Sequence, residues 1–174
     1  MEELKYPIGK FIPQPFSPAL RKEWLLDIET LPMQVEAAIN NLDAAQLETP
    51  YRPGGWTVKQ LVHHIADSHM NAFTRFKLGL SEDLPTIKPY DENSWAQMKD
   101  TELVPVNIST TLLHALHRRM LVLLEHMSEA DFSREIYHPE QKRNISLWNL
   151  LGIYAWHSRH HVAHINKLRE REGW

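Results

Sequence analysis

The chain of 174 residues contains no cysteine. That absence excludes disulfide staples, iron–sulfur clusters, thiolate zinc sites and a cysteine nucleophile in one step. A surplus of either charge is also missing: 19 Lys and Arg stand against 22 Asp and Glu, a net charge of −3. Nucleic-acid binding needs cations facing phosphates, so that class of partner is excluded, and an anionic membrane surface is excluded on the same ground. The longest apolar stretch, Leu150 to Trp156, is far shorter than a membrane span. The first residues, MEELKYPIGKF, carry no positive segment followed by an apolar run, and a cytoplasmic location is the expectation.

What remains is ordinary globular composition, 43% hydrophobic and 24% charged, enough to exclude disorder of the whole chain. A chain of this length buries roughly 70% of the surface it exposes when unfolded, and one domain over residues 1–174 is expected. Residues 1–16 carry three prolines and read as an extended arm.

Ser17-Pro18 supplies a cap and a first-turn proline for a helix to Leu42, with Leu25, Ile28, Val35 and Ile39 at helical spacing. Pro32 predicts a kink or short break in it. The stretch 43–56 is a loop, after which Thr57-Val-Lys-Gln60 reads as a capping box opening a helix to about Leu80. Residues 81–108, with Pro85, Pro89 and Pro105, form a long crossover with a helical turn around Trp95. A third helix follows from about Ser109 to Met127, then a loop or small hairpin turning at Pro139-Glu140. The fourth helix runs from a Ser146 cap to about Arg171. This pattern predicts an all-α, four-helix bundle with a long crossover between helices two and three. A faint internal repeat accompanies it: the residues from Leu42 to Val58 resemble those from Met127 to Leu147.

The chain holds 11 histidines, and seven lie in two short stretches: His63, His64 and His69, then His157, His160, His161 and His164. Positions four apart share a helix face, so His157/His161 and His160/His164 are each an H-x-x-x-H pair able to grip one ion. The Glu that follows the first His in zinc proteases is absent. Such pairs also arise on any histidine-rich helix. On the second helix, His64, Ser68, Asn71 and Arg75 project along one edge of the apolar stripe, with His63 on the opposite side as a surface residue. One histidine from helix two and two from helix four would make a three-nitrogen site with an open coordination position. Imidazole ligands suit zinc, nickel or ferrous iron.

Asp67 could orient a ligating ring or be a solvated acid. Arg75 could hold an anionic substrate group or pair with Asp91. The run Tyr90-Asp91-Glu92 could reach the metal or supply a base, or be a solvated turn. The six tryptophans read as core or interface anchors, and His69, His114, His117, His126 and His138 have no partner at ligand spacing.

The segments GGWTVKQLVHHIADSHMN, KPYDE and YAWHSRHHVAHI resemble the DinB/YfiT-like family of metalloenzymes, YfiT-type branch, over a likeness running from YPIG to Gly173-Trp174. The resemblance implies a four-helix bundle with one divalent ion per chain, zinc first and nickel or iron as alternatives, in a cytoplasmic homodimer. Carried over by motif, it implies His64, His160 and His164 as ligands. It implies a metal-dependent hydrolase, or an S-transferase joining a low-molecular-weight thiol such as bacillithiol to a small-molecule electrophile. Lack of cysteine is compatible with transfer, because the cosubstrate brings the thiol. A non-catalytic metal- or ligand-binding bundle is the alternative.

Overall fold

The computed structural model describes residues 2–174. Its elements in chain order are α1 (Glu2–Lys5), α2 (Pro18–Ile39), α3 (Ala44–Leu47), α4 (Val58–Ser81), α5 (Glu92–Trp95), α6 (Lys99–Leu103), α7 (Val106–Glu125), α8 (Glu129–Phe132), β1 (Glu135–His138), β2 (Arg143–Ser146) and α9 (Leu147–Glu172). The long helices α2, α4, α7 and α9 form the bundle. Around it, α2 packs on α7, α7 on α4, α4 on α9 and α9 back on α2. Helices that follow one another in sequence, α2 and α4 or α7 and α9, therefore lie across the bundle. The two long connections make that arrangement reachable.

Local chemistry starts the helices where the sequence predicts. Ser17 caps α2 with Pro18 in its first turn, Thr57 and Gln60 form the capping box of α4, and Ser146 accepts from the Asn149 amide to open α9. The order long helix, four-residue helix with a capping box, histidine-bearing helix occurs twice, as α2–α3–α4 and α7–α8–α9. This matches the faint repeat. The hairpin β1–β2 is antiparallel, and the crossover joins it where the Ile87 amide donates to the Tyr137 carbonyl at 3.0 Å.

Four expectations change. The stretch 43–56 is not all loop, because Asp43 and Gln46 form a capping box that starts the short helix α3 inside it. The arm is not wholly extended, since it begins with the helical turn α1; its later part lies on α9, where Trp148 and Trp156 donate to the carbonyls of Gln14 and Gly9. The crossover is shorter, because α7 starts at Val106, directly after Pro105. Most consequential, Pro32 sits buried inside an unbroken α2. A proline there removes the donor for the carbonyl four residues earlier. That carbonyl, Ile28, takes a donor from another helix instead: His117 Nδ1 on α7.

The core is two apolar clusters. One gathers Trp24, Ile28, Ala72, Phe76, Met120 and Leu151, with the Trp24 and Trp148 rings 4.3 Å apart. The other gathers Leu31, Val35, Leu61, Ile65, Leu113 and Ile165. Each buried aliphatic or aromatic side chain contributes about 1.5–3 kcal/mol. On every long helix the change from one cluster to the other falls in the same layer, and that layer holds His69, His117, His157 and His161.

Candidate metal centre

His64, on α4, and His157 and His161, on α9, converge in this layer. His64 Nε2 lies 3.3 Å from His157 Nε2, which lies 3.0 Å from His161 Nε2. One ligand atom from each of the three falls within 4.8 Å of the others. With Zn–N bonds of about 2.0–2.1 Å, tetrahedral geometry separates ligand nitrogens by roughly 3.4 Å, so little movement is needed to receive an ion.

Electrostatics prepare the rings for the same role. Burial is the leading cause that pushes His64 down to about 4 and holds His157 and His161 well below the ordinary histidine range; neighbouring imidazoles push the last two further. At neutral pH all three are uncharged, the form that offers a lone pair to a cation. The other nitrogen of His157 is also engaged: its Nδ1 lies 3.3 Å from His69 Nε2, and His69 Nδ1 lies 2.9 Å from His117 Nε2.

His160 and His164 go elsewhere. His160 stacks on Trp156 at 4.4 Å, with Tyr6 of the arm 6.0 Å away. His164 packs on Tyr51 at 4.2 Å, and its Nε2 donates to the Lys5 carbonyl at 3.3 Å. Both rings also come within ligand-atom reach of His161, but among the described residues no such group joins either of them to His64. The set His64, His160 and His164 is therefore not brought together. The reason is helical: three residues along, the chain has turned 300° and climbed about 4.5 Å, so this pair faces the arm when His157 and His161 face α4. The fourth-helix seam carries the information that decides between the pairs. Leu147, Leu151, Tyr154, Ser158, His161, Ile165 and Leu168 alternate at spacings of four and three, all buried, which puts His161 on the inward face.

His63 is buried rather than exposed. It bonds Ser109 Oγ through Nδ1 at 2.7 Å and donates from Nε2 to the Val104 carbonyl at 3.0 Å, tying α4 to α7 and the crossover. No hydrogen bond joins the Asp67 carboxylate to a histidine among the described residues. Asp91 caps α5, accepting from the Asn93 and Ser94 amides, and does not pair with Arg75. Arg75 instead donates to Tyr154 Oη at 3.1 Å.

Two cavities open on the cluster. A smaller one of about 290 Å³ is lined by all three histidines and by His160, together with Trp56 and Trp156. A larger one of about 640 Å³ runs past His157 to Tyr154, Arg75 and His138. Glu92 and Asn93 of α5 line both. Burial, the leading cause, raises the Glu92 carboxyl, and the Arg75 charge opposes that shift.

A four-helix bundle with histidines of two helices converging at its centre defines a class, and the comparison with protein families agrees. The chain belongs to the DinB superfamily, whose family model matches residues 27–165. It is 46% identical to YfiT of Bacillus subtilis (strain 168), named as a candidate metal-dependent hydrolase, over 98% of this chain and 97% of that protein. A protein of Bacillus mycoides (strain KBAB4), named in the same way, is 47% identical over the full length of both. The solved structure of the Bacillus subtilis YfiT, described as an unusual four-helix bundle topology, superposes with a TM-score of 0.96 over 99% of each chain. No described helix here is long and apolar enough to cross a membrane.

Proposed function

We propose that this protein is a mononuclear, divalent-metal-dependent enzyme holding its ion through His64, His157 and His161. The observation that carries this reading is the convergence of three uncharged imidazoles from two helices, His64 and His161 buried and His157 half-buried, with Nε2 atoms 3.0 and 3.3 Å apart, where two cavities meet the cluster. A fourth protein ligand is not part of this set, which leaves room for a small molecule. A divalent ion bound there supplies Lewis acidity, lowering the pKa of a water or thiol that coordinates it.

The chain's own residues do the rest. Trp56 and Trp156 wall the smaller cavity and restrict water around the cluster. Glu92, raised by burial and lining both cavities, is placed to take the proton released when a water or thiol ionises. Arg75 and Tyr154 offer hydrogen-bond donors in the larger cavity, where a substrate would extend away from the histidines. Hydrolysis is the chemistry supported by the names of the relatives. Transfer of a low-molecular-weight thiol to an electrophile uses the same ionisation and suits a chain without cysteine.

Elemental analysis of untagged protein beside a His64→Ala variant tests the site. About one divalent ion per chain, lost in the variant, is the expected result; no ion in either after zinc or nickel is supplied overturns it. Assays of the loaded enzyme with activated esters and amides, and with thiol plus electrophile, separate the two chemistries. Stoichiometric metal with neither activity would reduce the protein to a binding module.

A further inference from the structure

A line of hydrogen bonds runs from the backbone of α2 to His157. It begins at Pro32, whose missing N–H leaves the Ile28 carbonyl without its helical donor. His117 Nδ1 bonds that carbonyl; His117 Nε2 lies 2.9 Å from His69 Nδ1; His69 Nε2 lies 3.3 Å from His157 Nδ1. His69 and His117 are 0% and 2% exposed, and among the described residues no carboxylate hydrogen-bonds any ring in the line.

A neutral imidazole has one donor nitrogen and one acceptor nitrogen, so fixing one end of the line fixes every ring. A carbonyl only accepts, and His117 must therefore carry its proton on Nδ1 and accept at Nε2. His69 must then donate from Nδ1 and accept at Nε2. His157 in turn must donate from Nδ1, which leaves a bare lone pair on its Nε2. That atom is the one facing His64 and His161.

We propose that the Ile28 carbonyl, His117 and His69 form an orienting relay that sets the tautomer and ring direction of His157. His69 and His117 are positioning residues that touch neither ion nor substrate. The effect on metal affinity rests on the ligand set proposed above, whereas the tautomer pattern belongs to the metal-free protein. Outer partners of this kind typically change metal affinity by about 10- to 100-fold when lost.

Long-range ¹⁵N–¹H correlation spectra of metal-free, histidine-labelled protein at neutral pH test the pattern directly. His69, His117 and His157 are expected all to be protonated on Nδ1, the minority tautomer of a free histidine side chain. His157 protonated on Nε2 would overturn the relay. Zinc affinity by chelator competition is the second readout, comparing His69→Phe with His69→Gln. The first should weaken binding by about 10- to 100-fold; the second, whose amide can accept from His157 and donate to His117, should recover most of the loss. A folded His69→Phe protein that binds zinc like the parent overturns the positioning role. Should that variant not fold, the spectra of the parent protein decide alone. If His64→Ala still binds zinc normally, the ligand set has failed and the tautomer spectra judge the relay independently.

Discussion

Helix α9 carries two histidine pairs of identical spacing, and they meet opposite surroundings. His157 and His161 face α4, where their Nε2 atoms meet each other and His64. His160 and His164 face the N-terminal arm and the loop before α4, where aromatic rings and a backbone carbonyl receive them. Spacing alone establishes that two rings can share an ion. Which pair does so depends on the orientation of the helix, and the apolar seam sets that orientation. The difference shows that a ligand motif has to be read together with the seam of the helix that bears it.

Substituting the two pairs separately breaks or sustains this comparison, with the largest effect expected in the molecule. His157→Ala and His161→Ala should each weaken zinc binding by at least about 100-fold, since each removes a ligand from a three-ligand site. His160→Ala and His164→Ala should leave affinity close to the parent's and instead lower thermal stability, by about 1–2 kcal/mol for His164, through lost ring packing and the lost bond to Lys5. Chelator competition and thermal melts read both. The reverse pattern, with zinc lost from the His160 and His164 variants, would move the site to the arm face.

Short-range chemistry and helix seams disclose different parts of the molecule. Helix caps, the hairpin turn and the all-α class follow from short-range chemistry and appear where the residues predict them. His64 was also accessible, because it projects to the edge of an apolar stripe. The choice within HSRHHVAH was not, since family likeness preserves the motif while leaving two overlapping pairs. Seams could have helped further. Val62, Ile65, His69, Ala72 and Phe76 alternate at three and four, as do Leu113, His117, Met120 and Leu124, all deeply buried. A histidine on such a seam needs polar partners from other helices, and both found them in each other. What no local signal discloses is the bundle order that puts α7 beside both α2 and α4.

A second test concerns what the two faces share. His64, His117 and His164 are pushed down to about 4 and His160 to about 3, in each case chiefly by burial, and His69, His157 and His161 lie well below the ordinary range. The unfolded chain would hold protons on these rings below about pH 6.5, while the fold refuses them. Stability of the metal-free protein is therefore at its full value above about pH 6.5 and is lost as pH falls through 6 towards 4. Asp27 and Asp67, raised by burial to about 6, and Glu92, also raised by burial, act in the opposite sense over part of that range, but these seven histidines outweigh three acids. Denaturant titrations at pH 7.5, 6 and 5 should show a steep decline. Replacing either pair on α9 by apolar residues should flatten it, because both pairs contribute. A metal-free protein equally stable at pH 5 and 7.5 would show that the rings are not held neutral.

The finest test lies farthest from the ions and touches only the start of the relay. Pro32→Ala restores an amide that can donate to the Ile28 carbonyl and compete with His117. A carbonyl has two lone pairs, so the competition weakens the His117 bond without abolishing it. Stability should change little: alanine improves the helix interior, while the buried proline ring gives up apolar contact of about 1–2 kcal/mol. Zinc affinity should fall by a few-fold, less than for His69→Phe, and the Nδ1 proton of His117 should exchange faster. Unchanged affinity and exchange would mean that His117 holds the carbonyl without needing the proline. In that case Pro32 is merely tolerated in α2, and the relay is anchored by the packing of α7 on α2.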